Sequence, residues 1–270
     1  MKYLNKTLLF VSILINVGLV GVVYKEEIHS HVIQRSLAKH GIISGYDDDK
    51  QSPDYWARVG WTNTIEKLHT EFDIAFFGNS ITRGSDFQLA FPDKKIINLG
   101  YSGDKISGML KRISMIQKSK AKKVFIMAGT NDLAHMDINE YKDRYTELIS
   151  AIQDSIPGIK IVIESVLPTN PNVVGEGKYA PNSKVQEANK VAESIAKELN
   201  CRYIDLYSLY ADKNNELPRN LTIDGVHLYP NSYDRWAEKI FYIQYSKLKI
   251  LIRYATNFII RRLRQAPMAS

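Results

Sequence analysis

Five short apolar runs punctuate the middle of the chain, at residues 72–77, 95–99, 123–128, 160–166 and 203–206. Each has strand length and is too short for a helix of ordinary size. The spacers between them change period. Ile106, Met109, Leu110, Ile113 and Ile116 recur at helical spacing and predict one helix over 105–117. A second helix is predicted over 141–156, ended by Pro157-Gly158. A third covers 183–199 and a fourth 232–245. Strands alternating with helices predict an α/β fold in which a parallel sheet is covered on both faces. Its crossovers should be right-handed. No segment repeats at the period of a solenoid.

The two ends of the chain read differently. Residues 7–24 carry no charge; Lys2 and Lys6 precede them and Lys25, Glu26 and Glu27 follow. At about 1.5 Å per residue the run nearly spans a hydrocarbon core of roughly 30 Å. Its length and the lack of an Ala-x-Ala site favour an uncleaved signal anchor over residues 1–24 rather than a cleaved signal peptide. The flanking charges put the N-terminus inside and the rest of the chain outside the cytoplasmic membrane. Residues 25–50 then read as a stalk, with His29, His31 and His40 scattered through it. Residues 51–246 hold the predicted domain, and residues 247–270 form a basic tail.

Charge sharpens this division. The net charge is +7, and Lys247, Lys249, Arg253, Arg261, Arg262 and Arg264 in the tail supply six of it, with no acid among them. The domain is close to neutral and shows no basic face for nucleic acid. Apolar residues between the tail cations suit an amphipathic helix on an anionic membrane surface, with packing on the domain or on a partner as the rival reading. Cys201 is the single cysteine, so no internal disulfide forms, and its apolar setting reads as core.

In an open parallel sheet, sites form beyond the carboxyl ends of the strands. The polar residues are found there. Gly78-Asn79-Ser80-Ile81-Thr82 follows the first run, and Asn98-Leu99-Gly100-Tyr101-Ser102-Gly103 ends the second. Gly129-Thr130-Asn131-Asp132 follows the third, and Asp224-Gly225-Val226-His227 precedes the last helix. Taken singly, each has an ordinary structural explanation as cap, turn former or buried histidine. His69 and His135 lack such neighbours and read as surface residues; Tyr55, Trp56 and Trp61 read as packing, with a sugar platform as the alternative. No metal motif or phosphate loop is present, and no cofactor is expected.

Together, the four blocks in this order resemble those of the SGNH hydrolases, the GDSL-like lipases and acylhydrolases, over roughly residues 70–245. The look is nearest to the branch with platelet-activating-factor acetylhydrolase and bacterial carbohydrate esterases. The resemblance implies a flavodoxin-like three-layer α/β/α sandwich with a five-stranded parallel sheet. It implies a nucleophile at Ser80, a base at His227 and an orienting acid at Asp224. It also implies an oxyanion hole from the backbone N–H groups of Ser80 and Gly100 and the side-chain amide of Asn131. The chemistry agrees with those roles. Serine needs a base within hydrogen-bond reach, imidazole accepts and returns a proton near neutrality, and a carboxylate fixes its tautomer. One letter departs from the pattern: Asn79 stands where the family's first block has aspartate.

The expected reaction is hydrolysis of a small acyl ester, an O-acetyl group on a glycan, by an extracytoplasmic domain. Rivals are polysaccharide O-acetyl transfer, a lipase or lysophospholipase working on lipid esters, and a silent glycan-binding protein. The loop over 168–181 is expected to border the site.

Overall fold

The computed structural model describes residues 70–175 and 177–244, together with residues 60, 64 and 67. The anchor, the stalk and its histidines, the basic tail, His69, Tyr55, Trp56 and Trp61 all lie outside the described residues. Among the described residues no helix is long and apolar enough to cross a membrane.

Five strands form one parallel sheet: β1 (Ile74–Gly78), β2 (Ile96–Gly100), β3 (Lys123–Met127), β4 (Lys160–Glu164) and β5 (Arg202–Ile204). Their order is β2-β1-β3-β4-β5. Alternation along each strand sorts side chains to two faces. Ala75, Phe77, Ile97, Leu99, Val124, Ile126, Ile161 and Ile163 join one buried cluster. Ile74, Phe76, Ile96, Phe125, Met127, Val162 and Ile204 join the other. Burying each large apolar side chain contributes roughly 1.5–3 kcal/mol, so both faces need a cover.

Helices supply it. On the first face lie α3 (Ile106–Lys111), α4 (Ser114–Ser119), α5 (Ile138–Ser155) and α7 (Asn182–Glu198). On the second lie α1 (Ser80–Arg83), α2 (Phe87–Ala90), α8 (Tyr207–Tyr210) and α9 (Tyr233–Gln244). The short α6 (Pro171–Val174) sits in the loop after β4. The fold is thus the three-layer α/β/α sandwich expected from the pattern.

Several boundaries moved for identifiable reasons. The helix expected over 105–117 is two helices. Arg112 leaves helical geometry, at φ −122° and ψ 19°, and its side chain turns inward under the sheet ends. Helix α5 begins earlier than its apolar stripe because Asp137 caps it, accepting from Asn139 N at 2.8 Å and Glu140 N at 3.0 Å. Strand β5 ends early because Leu206 N and Tyr207 N both donate to Ser165 Oγ, at 2.8 and 2.7 Å. Cys201 is half-buried against the first cluster, and burial raises its thiol pKa.

Two packed positions carry consequences. A Cβ on Gly100 would lie 2.3 Å from Arg83 N and 2.9 Å from Asn79 O, both backbone atoms that cannot swing aside. Gly100 is therefore the point where β2 meets α1 at closest approach. Glu164, 1% exposed, receives the Trp236 indole N–H at 2.7 Å. Burial raises its carboxyl from 4.5 to about 8, against the opposing effect of the Trp236 hydrogen bond. Tyr145 and Tyr210 are the other titratable groups that feel it.

Gly100→Ala should therefore lower Tm by several degrees, from an overpacking cost of about 1–3 kcal/mol. An unchanged Tm in thermal denaturation would show that the two backbones are not in contact. For Glu164, the folded chain holds a proton that the unfolded chain loses above its ordinary pKa of 4.5. Stability from this group is complete below that value and declines as pH rises to about 8. Glu164→Gln removes the titration, so its Tm should gain on the wild type between pH 5 and 9. Parallel Tm curves across that range would contradict the buried neutral acid.

Candidate active site

The nucleophile position is built by the end of β1. Phe76 and Phe77 lock the strand into the two cores, and the chain turns at Gly78. A Cβ there would lie 2.3 Å from Thr82 Oγ1 and 2.8 Å from Met127 O, so the turn is too tight for any other residue. Asn79 caps α1 by accepting from Ile81 N at 2.9 Å. Ser80 is the first residue of that helix, half-buried, with its hydroxyl outside the core.

His227 arrives from the far end of the chain on a small antiparallel bridge between Thr222 and Leu228. Its Nε2 lies 2.8 Å from Ser80 Oγ, and its Nδ1 lies 2.7 Å from Asp224 Oδ2. An ionised carboxylate can only accept, which fixes the proton on Nδ1 and leaves Nε2 to accept from the serine hydroxyl. Burial alone would raise the Asp224 pKa. Hydrogen bonds from the His227 backbone N–H, the His227 ring and the Val226 N–H outweigh that and hold it below the ordinary carboxylate value. Asp224 Oδ1 takes the two backbone donors, His227 N at 2.8 Å and Val226 N at 3.0 Å. One carboxylate thus shapes the turn and orients the ring. Gly225, at φ +92°, permits the turn.

The triad is open. The side chains of His227 and Asp224 are 35% and 52% exposed. The loop after β4 does reach it, as expected. Asn170 N donates to Gly225 O at 2.8 Å, and Val173 packs over Gly225 from α6. Tyr179, in the same loop, has its pKa raised by burial and by the Asp224 charge.

Asn131 lies beyond β3. One hydrogen of its amide goes to Asp104 O at 2.8 Å, which anchors the side chain and leaves the second hydrogen for another acceptor. Neighbouring Asp132 is structural: its Oδ1 accepts from Ile106 N at 3.0 Å and starts α3.

Gly100 is a correction. Its N–H donates to Asn98 Oδ1 at 2.9 Å, and the residue is buried at the end of β2, so the donor expected there is already occupied. The same asparagine donates to Thr82 O and Ser85 O, at 2.8 and 2.9 Å, and so clasps β2 to α1. The other glycine of that block, Gly103, is the one sequence reasoning passed over. It is exposed, has φ +75° and would meet nothing with an added Cβ. Its N–H makes no hydrogen bond among the described residues. It directly precedes Asp104, whose carbonyl holds Asn131. Two glycines three positions apart in one loop offered no periodic signal for choosing between them. His135 is exposed, as expected.

Comparison with known proteins places the fold in a family. Residues 76–235 match the profile of the GDSL-like Lipase/Acylhydrolase family. Among solved structures, a Streptococcus pneumonia protein assigned as a platelet activating factor aligns with TM-score 0.61 and 22% identity, over 69% of this chain and 92% of that one. A GDSL-like lipase from Bacteroides thetaiotaomicron aligns with TM-score 0.56 and 26% identity, over 69% and 95%. The acetyl xylan esterase AlAXEase aligns with TM-score 0.54 and 22% identity, over 64% and 99%. A comparison with curated protein sequences finds no match. With a family profile covering more than half its length, the chain belongs to the GDSL-like lipases and acylhydrolases and is an ester hydrolase.

Proposed function

We propose that the protein removes a small acyl group, an O-acetyl group, from a carbohydrate through an acyl-enzyme on Ser80. The observation that carries this reading is the continuous hydrogen-bond chain Ser80 Oγ, His227, Asp224, with links of 2.8 and 2.7 Å. Ser80 Oγ attacks the ester carbonyl while His227 Nε2 takes its proton. The tetrahedral oxyanion is met by the Ser80 N–H, the Gly103 N–H and the free hydrogen of the Asn131 amide. His227 returns the proton to the departing sugar alkoxide. Water, deprotonated by His227, then attacks the acyl-enzyme and releases the carboxylic acid and Ser80.

The openness of the triad supports a bulky alcohol: a saccharide chain can lie across the exposed His227–Asp224 side while a small acyl group sits at the serine. The fold likeness to an acetyl xylan esterase supports the same substrate class. The uncharged run over 7–24 and its flanking lysines support an extracytoplasmic domain tethered to the membrane, with the basic tail at 247–270 as a second contact. A sugar hydroxyl in place of water would turn the same acyl-enzyme to acetyl transfer.

Ser80→Ala should abolish release of acetate from p-nitrophenyl acetate; undiminished turnover would remove Ser80 as the nucleophile. Asn131→Ala should lower kcat on the order of 10²–10³-fold, with Tm within a few degrees of wild type. Among p-nitrophenyl esters, kcat/KM should fall as the acyl chain lengthens from acetate. A rise towards long chains would replace the acetylesterase reading with that of a lipase.

A further inference from the structure

Arg112 is 1% exposed and sits at the break between α3 and α4, with no part in proton transfer. Its guanidinium uses its whole fork. Nε and Nη2 each lie 2.6 Å from Asp104 Oδ2. Nη1 donates to Leu99 O at 2.7 Å and Nη2 to Gly78 O at 2.9 Å. The cation is held between the rings of Phe77 and Tyr101, 4.1 Å from each centroid. Those partners belong to three different pieces of the site. Gly78 ends the strand that delivers Ser80, Leu99 lies in β2, and Asp104 carries the carbonyl that anchors the Asn131 amide.

A buried ion pair is weak support for stability, because well-packed apolar residues serve as well or better. This one also interrupts a helix that the sequence pattern would otherwise continue. What an apolar replacement cannot supply is a rigid planar fork that fixes three backbone segments relative to one another. We propose that Arg112, locked to Asp104, is a positioning residue for ester hydrolysis: through the Asp104 carbonyl it sets the Asn131 amide against the Ser80 end of β1. The proposal rests on the oxyanion role given to Asn131 above.

The prediction follows from the chain of contacts. If Arg112 acts through Asn131, its loss matters only while the amide is present. Arg112→Lys keeps the charge but loses the fork, and should lower kcat for p-nitrophenyl acetate at least 10-fold with KM changed less than about 3-fold. In an Asn131→Ala background the same substitution should cost no more than about 3-fold further. Fully multiplicative losses, or an unchanged kcat in Arg112→Lys, would overturn the proposal while leaving the oxyanion role of Asn131 intact. An Asn131→Ala variant with wild-type kcat would remove that oxyanion role, and this proposal with it. Folding is separated by a second variant, Arg112→Met with Asp104→Leu, which takes out both charges. Its Tm should recover towards wild type while kcat stays low. Recovery of kcat together with Tm would show the pair to be structural only.

Discussion

The site depends first on parallel pairing in a single register. Gly78 of β1 lies opposite Gly100 of β2 on one side and Met127 of β3 on the other. Parallel strands point their carboxyl ends the same way, so one register brings three loop origins to one level of the sheet. Because β2 and β3 flank β1, the chain winds outward in both directions from that strand and leaves a crevice above it. Ser80, the loop 101–104 and Asn131 all emerge there. A slip of one residue in either pairing would exchange the two faces of a strand, placing Phe77 where Phe76 belongs. The packing of both cores therefore protects the alignment of the site.

The base comes from much later in the chain, and the second core delivers it. Tyr233 OH donates to Ile81 O at 2.6 Å, tying the start of α9 to the nucleophile helix. Tyr210 OH donates to Ser232 O at 2.8 Å, and the Trp236 indole reaches Glu164 on β4. The turn bearing Asp224 and His227 is thus bounded by a helix fixed at two points and by Ser232, held just before it. Thr222 Oγ1 adds a local brace, donating to His227 O and accepting from Gly225 N, at 2.8 and 2.9 Å. Imidazole reach is short, and a hydrogen bond to serine across the whole domain requires such anchoring.

Much of this was legible in the sequence because it is periodic. Five apolar runs marked five strands, and polar blocks after them marked the site, as the rule for parallel sheets requires. Ser80, His227 and Asp224 lie in one hydrogen-bonded chain. What was missed has no period. The fork of Arg112 lies inside an apolar stripe of helical spacing, so the pattern 105–117 read as one helix, and only a buried network explains the break. Gly100 and Gly103 are chemically identical in sequence. One is buried against the Arg83 backbone and the other stands in the open, a difference that tertiary contact alone creates. The four-residue helices α1, α2, α6 and α8 are too short to show a repeat.

Asn79 shows what the departure from the family pattern leaves unchanged. The position is 1% exposed and its acceptor oxygen caps α1, a task that asparagine performs as well as aspartate. What differs is the other half of the side chain. Nδ2 is buried and makes no hydrogen bond among the described residues. An unpaired buried donor costs about 1–3 kcal/mol. A carboxylate there would put a negative charge beside the serine at which the oxyanion forms. Asparagine keeps the cap and keeps that charge away, at the cost of one unsatisfied amide. The fold around Ser80 therefore tolerates the changed letter because the helix start needs an acceptor, and a neutral one suffices.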